Sequence, residues 1–261
     1  MPAPHNPFKA ALKTGKMQLG CWSSFAHPYP IEMVATAGFD WVVIDGEHAP
    51  NDLQTITAQL QVLEGKHSHA VVRIPTGHDW LVKQVLDAGA QTVLVPMVDT
   101  AEQAAQLVRA MRYPPHGIRG AGAAGARASG FGAISDYVQT ANEQVCLIVQ
   151  VETCLGMENL DAILAVEGVD GVFIGPADLA ADMGFPGNSA ADEVKAAIKD
   201  MLARIKASDK AAGILGVSEA ATQDYADWGA QFLAVGVDVG VFATAMRELE
   251  SHWRARISPQ A

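Results

Sequence analysis

Apolar residues along this 261-residue chain gather into short, nearly uninterrupted runs: Gln18–Trp22, Trp41–Asp45, Ala70–Arg73, Thr92–Pro96, Val145–Glu152, Gly171–Gly175, Ala212–Gly216 and Phe232–Gly236. The in-and-out alternation of a sheet with one solvated face is missing, so these eight runs predict parallel strands covered on both sides. Helical patterns fill the gaps. After the capping box Thr100-Ala-Glu-Gln103, Ala101, Ala104, Ala105 and Val108 recur at helical spacing, and Asn51, Leu53, Ile56, Leu60 and Leu63 do the same earlier. Strand and helix alternating down the whole chain predict an α/β fold, a (β/α)8 barrel formed as one domain over 1–261. A doubly wound open sheet is the alternative, and eight strands favour the barrel.

Two segments depart from the repeat. Positions 112–143 form a long insertion rich in Gly and Ala, including Ala-Gly-Ala-Ala-Gly-Ala-Arg127. So little side chain predicts either a mobile lid or backbone wrapped closely against another surface, here a loop over the barrel mouth or a subunit contact. The last segment, 239–256, carries Phe242, Ala245, Met246, Leu249 and Trp253 on one helical stripe that must find a partner, on its own barrel or on a neighbour.

Composition narrows the function classes. With 49% hydrophobic and 18% charged residues the chain reads as globular, and its net charge of −11 disfavours nucleic acid and anionic membrane surfaces as partners. No apolar run suffices to span a bilayer and no signal peptide is evident, which predicts a cytoplasmic protein. Cys21, Cys146 and Cys154 lack CxxC spacing and fit reduced thiols.

In a barrel of this kind the site is built at the C-terminal ends of the strands, which turns position into a filter. Trp22, Asp45 with Glu47 and His48, Arg73, Pro96, Gln150, Glu152 and Asp178 pass it. Glu152 and Asp178 close successive strands, and two carboxylates leaving other positions open suit an octahedral Mg²⁺ or Mn²⁺ ion. Taken singly, a helix N-cap and a salt-bridge partner explain them equally well. The helix start Gly175-Pro-Ala177-Asp178 presents backbone N–H groups to an anion, although it is also a plain helix start. Asp45, three residues before His48, could accept from one imidazole nitrogen and leave the other as a general base; a surface His capped by a local Asp is the bland counterpart. Arg73 could stabilise a developing enolate oxygen or simply form a structural ion pair. None of the lysines lies within an apolar run, so Schiff-base chemistry is disfavoured.

The segments Ile44-Asp45-Gly46-Glu47-His48-Ala49-Pro50, Leu94-Val95-Pro96-Met97-Val98, Arg112-Tyr113-Pro114-Pro115 with Gly117-Ile118-Arg119-Gly120, Gln150-Val151-Glu152-Thr153 and Gly171-Val172-Phe173-Ile174-Gly175-Pro176-Ala177-Asp178-Leu179 resemble the HpcH/HpaI family of class II pyruvate aldolases. The resemblance runs from about Phe8 to about Leu249. It implies a barrel of the phosphoenolpyruvate/pyruvate superfamily, assembled as a homo-hexamer, a trimer of dimers that exchange the last helix. It also implies a divalent ion (Mg²⁺, Mn²⁺ or Co²⁺) on Glu152 and Asp178, a base dyad of Asp45 and His48, and Arg73 as the pyruvyl-binding, enolate-stabilising residue. Gln150, Trp22 and the backbone at Ala177 and Asp178 would lie near the bound keto acid. The implied reaction is reversible cleavage of a 4-hydroxy-2-oxo acid, such as 4-hydroxy-2-oxoheptanedioate, to pyruvate and an aldehyde, with hydroxypyruvate as an alternative donor in the reverse direction. An acyl-CoA lyase of the citrate lyase β or malyl-CoA type and a non-catalytic keto-acid-binding barrel are the competing readings.

Overall fold

The computed structural model describes residues 1–257, so the last four positions of the predicted domain 1–261 lie outside the described residues. Eight parallel strands close a barrel in chain order: β1 (Gln18–Ser23), β2 (Trp41–Asp45), β3 (His69–Arg73), β4 (Thr92–Val95), β5 (Cys146–Val151), β6 (Gly171–Ile174), β7 (Ala211–Leu215) and β8 (Phe232–Val237), with β8 pairing back onto β1. The open-sheet alternative is thereby set aside. Twelve helices accompany them: α1 (Pro7–Leu12), α2 (Pro28–Ala35), α3 (Leu53–Leu63), α4 (Asp79–Asp87), α5 (Ala101–Met111), α6 (Tyr137–Gln144), α7 (Cys154–Glu158), α8 (Leu160–Leu164), α9 (Pro176–Asp182), α10 (Asp192–Ala207), α11 (Glu219–Trp228) and α12 (Asp238–Ile257). Among the described residues, no helix is long and apolar enough to cross a membrane.

Alternate residues of each strand serve two cores. Val42, Val72, Val93, Val149 and Val172 face the helices, whereas Trp41, Val43, Leu94, Ile148, Phe173 and Phe232 fill the barrel. Small residues make room for large ones inside: a Cβ at Gly20 would collide with the Trp41 indole, and one at Gly213 with the Phe232 ring. The capping box opening α5 forms as the sequence predicts, with Thr100 accepting from Gln103 N–H at 3.2 Å. A second box, on Asp52 and Thr55, opens α3. Asn51 is therefore not part of α3; its side-chain amide instead donates to the Asp45 carbonyl at 2.7 Å and ties down the loop after β2.

Two features differ from the sequence reading. Helix α1, too short to announce itself by periodicity, caps the N-terminal end of the barrel, where Phe8 packs on Trp41, His69 and Phe232 with centroids 5.6–5.9 Å apart. The insertion at 112–143 does not cover the mouth. It follows a helix and precedes a strand, so it lies at the opposite end, where Arg119 bonds Asp87 at 2.8 Å and Arg127 bonds the Ala88 carbonyl at 3.1 Å. Arg119 stacks over Tyr113, 4.4 Å from the ring centroid, in a small satellite core with Tyr137.

Helix α12 leaves Val241, Phe242, Met246, Leu249, Trp253 and Ile257 exposed. Between β1, β8 and α11, an outer-wall groove lined by Met17, Leu19, Val217 and Val235 is likewise uncovered.

Candidate active site

The mouth is organised around a buried ion pair. Arg73, at the end of β3, lies in register with Asp45 at the end of β2. Its guanidinium donates from Nε to Asp45 Oδ1 at 2.9 Å and from Nη2 to Oδ2 at 2.8 Å. Such a bidentate pair fixes the plane of the guanidinium. Trp22, from β1, adds an indole N–H to Asp45 Oδ2 at 3.2 Å and places its ring 4.8 Å from the Arg73 carbon Cζ. The third arginine nitrogen, Nη1, is 2.7 Å from Glu47 Oε2, a charge contact without hydrogen-bond alignment. Burial would push the Asp45 carboxyl up, but the Arg73 hydrogen bonds and charge, with the backbone N–H groups of Glu47 and His48, hold it below its ordinary value.

This arrangement corrects the predicted dyad. Asp45 accepts from the His48 backbone N–H at 3.3 Å, and its oxygens are otherwise committed to Arg73, Trp22 and Glu47 N–H. The imidazole points outward, its side chain 64% exposed, and the carboxylate 4.0 Å from Nε2 is that of Glu47. Glu47, which the strand-end filter picks out without assigning it a role, is thus a site residue, standing between Asp45 and His48 in the same turn. Burial raises its carboxyl; Arg73 and His48 oppose that, while Asp45 and Asp178 reinforce it.

Glu152, just beyond β5, is only 1% exposed. Its Oε1 accepts the Met97 backbone N–H at 2.9 Å, and its Oε2 contacts the Gln150 amide nitrogen. Met97 reaches it with φ of 55°, a strained value for a non-glycine residue of the kind that collects at functional sites. Glycine is required at 175, because a Cβ there would collide with Glu152 Oε2. Burial pushes the Glu152 carboxyl up to about 7, against the Gln150 and Met97 hydrogen bonds, and the charges of Asp178 and Glu47 add to the rise. Asp178 stands exposed in the first turn of α9, whose N-terminus has no side-chain cap. Ala177 beside it is also exposed, so this turn borders the open mouth.

A divalent cation fits these residues. Four carboxylates gather at the mouth, Asp45 and Glu47 on Arg73 and Glu152 and Asp178 close enough to Glu47 for their charges to act on one another, and Glu152 is held against glycine with its charge opposed by burial and by like neighbours. Among the described residues, no cluster of three or more His, Cys, Asp or Glu forms a self-sufficient metal cage. Glu152 and Asp178 would therefore hold an ion through two protein ligands and leave its remaining positions to solvent or substrate.

Gln150 and Trp22 sit deeper than a contact surface. Gln150 is buried with its Oε1 unpartnered, and Trp22 is buried against Phe173, supporting the ion pair from below.

Comparison with known proteins places these features in one lineage. The family model described as HpcH/HpaI aldolase/citrate lyase matches residues 18–245. A hydroxypyruvate/pyruvate aldolase of Roseovarius nubinhibens is 62% identical over 97% of this chain and 99% of its own. A 2-keto-3-deoxy-L-rhamnonate aldolase of Salmonella gallinarum is 53% identical over 92% of this chain and 90% of its own. The crystal structure of an HpcH/HpaI aldolase/citrate lyase family protein from Burkholderia cenocepacia superposes with a TM-score of 0.92 at 40% identity, covering 95% of this chain and 99% of the other. Sequence and barrel agree, and the chain belongs to the HpcH/HpaI aldolase/citrate lyase family.

Proposed function

We propose that this aldolase cleaves a 4-hydroxy-2-oxo acid reversibly to an aldehyde and pyruvate or hydroxypyruvate, with a divalent ion (Mg²⁺, Mn²⁺ or Co²⁺) held by Glu152 and Asp178. The observation that carries this reading is the excess of carboxylates over the single Arg73 guanidinium at the C-terminal end of the barrel, with Glu47 and Asp178 close enough to Glu152 to oppose its charge. Names borne by relatives support the donor class, since both the hydroxypyruvate/pyruvate and the 2-keto-3-deoxy-L-rhamnonate enzymes are aldolases named for 2-oxo acids. When bound, the ion supplies Lewis-acid polarisation of the 2-oxo group.

The chain's own residues do the rest. Arg73, its plane set by Asp45 and Trp22, presents fixed positive charge where enolate oxygen charge develops as the C3–C4 bond breaks. His48, exposed at the rim beside Glu47, takes the 4-hydroxyl proton directly or through a water, and returns it in the addition direction. Backbone N–H groups at Ala177 and Asp178, at an uncapped helix start, receive the substrate carboxylate. Gln150 holds Glu152 in place from within the barrel.

The uncovered stripe of α12 and the uncovered groove between β1, β8 and α11 are explained together when dimers exchange α12, with three dimers forming a hexamer. The free thiols and acidic charge suit a cytoplasmic protein. A donor and acceptor screen with Mg²⁺, Mn²⁺ and Co²⁺, following pyruvate or hydroxypyruvate release from 4-hydroxy-2-oxo acids of varied length and terminal charge, tests the function. Release from at least one of them is expected; none with any metal, alongside cleavage of a β-hydroxyacyl-CoA, would overturn it.

A further inference from the structure

The last residues of β8 do not follow the register of the rest of the barrel. Gly20 pairs with Ala234 but Trp22 pairs with Val237, so β8 has one extra residue where β1 ends. A bulge of this kind re-aims the strand that carries it. The interior side accordingly passes from Phe232 and Ala234 to Val237, and the next residue, Asp238, turns its carboxylate toward the end of β1. There it accepts three hydrogen bonds: from Ser23 Oγ at 2.9 Å, from Ser24 N–H at 2.8 Å and from its own neighbour Val239 N–H at 2.7 Å. Ser23 is fully buried and Asp238 nearly so. Asp238 is also the first residue of α12.

Directly before Ser23 stands Trp22, which supports the catalytic pair both by its indole N–H to Asp45 and by its ring beneath Arg73. We propose that Asp238 is a positioning residue: by pinning the end of β1 it sets the Trp22 indole that carries the Asp45–Arg73 pair, and so couples the reacting guanidinium to the root of α12. The coupling is a chain of contacts in which each link has one defined partner. Without the carboxylate, the Ser23 hydroxyl loses its buried acceptor and the Ser24 N–H loses the group that orients it, so β1 is released two residues from the site. The consequence for chemistry rests on the aldolase reading above; the mechanical coupling itself does not.

The test compares Asp238→Ala, Asp238→Asn, Trp22→Phe and the Asp238→Ala/Trp22→Phe double variant, each as the full-length, metal-supplied protein with its assembly mass checked by light scattering. Asp238→Ala is expected to lower kcat for methyl-proton exchange of pyruvate by roughly 10- to 100-fold through misplacement of Arg73. Asp238→Asn, which retains an oxygen for the two backbone donors and offers an amide to Ser23, restores most of the rate. Asp238→Ala should cost nothing further in the Trp22→Phe background. With 5-fluorotryptophan labelling, the resonance lost in Trp22→Phe should shift in Asp238→Ala while that of Trp228, at the opposite end of the barrel, stays in place. If Asp238→Ala does not fold, Ser23→Ala, which removes one of the three hydrogen bonds, gives the same pattern with a smaller drop.

Full additivity of the two substitutions, or an unmoved Trp22 resonance, would overturn the proposal. A wild-type protein inactive toward every 2-oxo acid would instead sink the aldolase reading, and the fluorine shift would still decide the coupling.

Discussion

The two ends of this barrel solve opposite problems with the same strands. At the N-terminal end, aromatic packing closes the barrel and charges pair around it. Phe8 of α1 closes the barrel on Trp41 and Phe232, while Arg119 and Arg127 of the insertion each meet a carboxylate on the outside. At the C-terminal end, carboxylates outnumber the one guanidinium, Glu152 is pushed up to about 7 by burial, and Met97 holds a left-handed backbone to reach it. One end is closed by aromatic packing, with Tyr113 Oη and two Arg119 nitrogens buried without a hydrogen-bond partner in the satellite core; the other gathers carboxylates that suit a cation. The overall charge of −11 describes neither end, since under the proposed function a 2-oxo acid would be received by Arg73 and by a helix start at a mouth rich in carboxylates.

That contrast can be broken experimentally, beginning where the effect is largest. Arg73→Ala belongs to both accounts at once: it should lower cleavage and pyruvate enolisation by roughly 10²–10³-fold. It should also cost about 3–5 kcal/mol of folding stability, because Asp45 is left buried without its partner. Deuterium exchange at the pyruvate methyl and urea denaturation read the two effects separately; a stable variant with normal exchange would show the pair to be dispensable.

Phe8→Ala sharpens the other side. Loss of the plug should cost about 3–5 kcal/mol while kcat at 25 °C stays close to wild type, since nothing at the mouth touches Phe8. A collapse of kcat in a still-folded variant would mean that the two ends are not independent.

A smaller effect comes from pH. Burial raises the Glu152 carboxyl from 4.5 to about 7, so between these values the folded chain binds more protons than the unfolded chain. The stability that Glu152 contributes to the chelator-treated protein therefore falls as pH rises through that window. Burial pushes the His69 imidazole down to about 4, which favours stability as pH rises over much of the same window, and Glu47 is raised as Glu152 is; the Asp45 shift is downward and acts below about pH 4. From about pH 4.5 to 7.5, denaturation midpoints of the wild type should fall relative to those of Glu152→Gln, which shares the other titrations; saturating Mg²⁺ should offset that relative fall. Stability that rises with pH in the chelated wild type, with no difference in Glu152→Gln, would contradict the assignment.

Much of this was readable in the chain. The strands lie within one or two residues of the apolar runs, because buried parallel strands need continuous Val, Ile and Leu and tolerate little else. Arg73, Glu152 and Asp178 were legible for a related reason: a polar residue ending such a run must sit at the mouth. The insertion could have been placed from order alone, since a segment between a helix and the next strand belongs to the N-terminal end. What the chain conceals is pairing. Asp45 has three suitors within reach, and only the strand register that aligns it with Arg73 takes it away from the His48 imidazole. The bulge that turns Asp238 toward Ser23 is a one-residue mismatch between strands far apart in sequence, and local pattern holds no trace of it.

The central claim is that the acidic mouth works as an ion-assisted aldolase site. Its most direct test is pyruvate release from a 4-hydroxy-2-oxo acid before chelation, after removal of divalent ions with EDTA, and after restoring Mg²⁺, Mn²⁺ or Co²⁺. The account predicts that activity is lost on chelation, returns with added ion in wild type, and does not return in a Glu152→Gln/Asp178→Asn variant. Undiminished cleavage in the presence of excess chelator would contradict it.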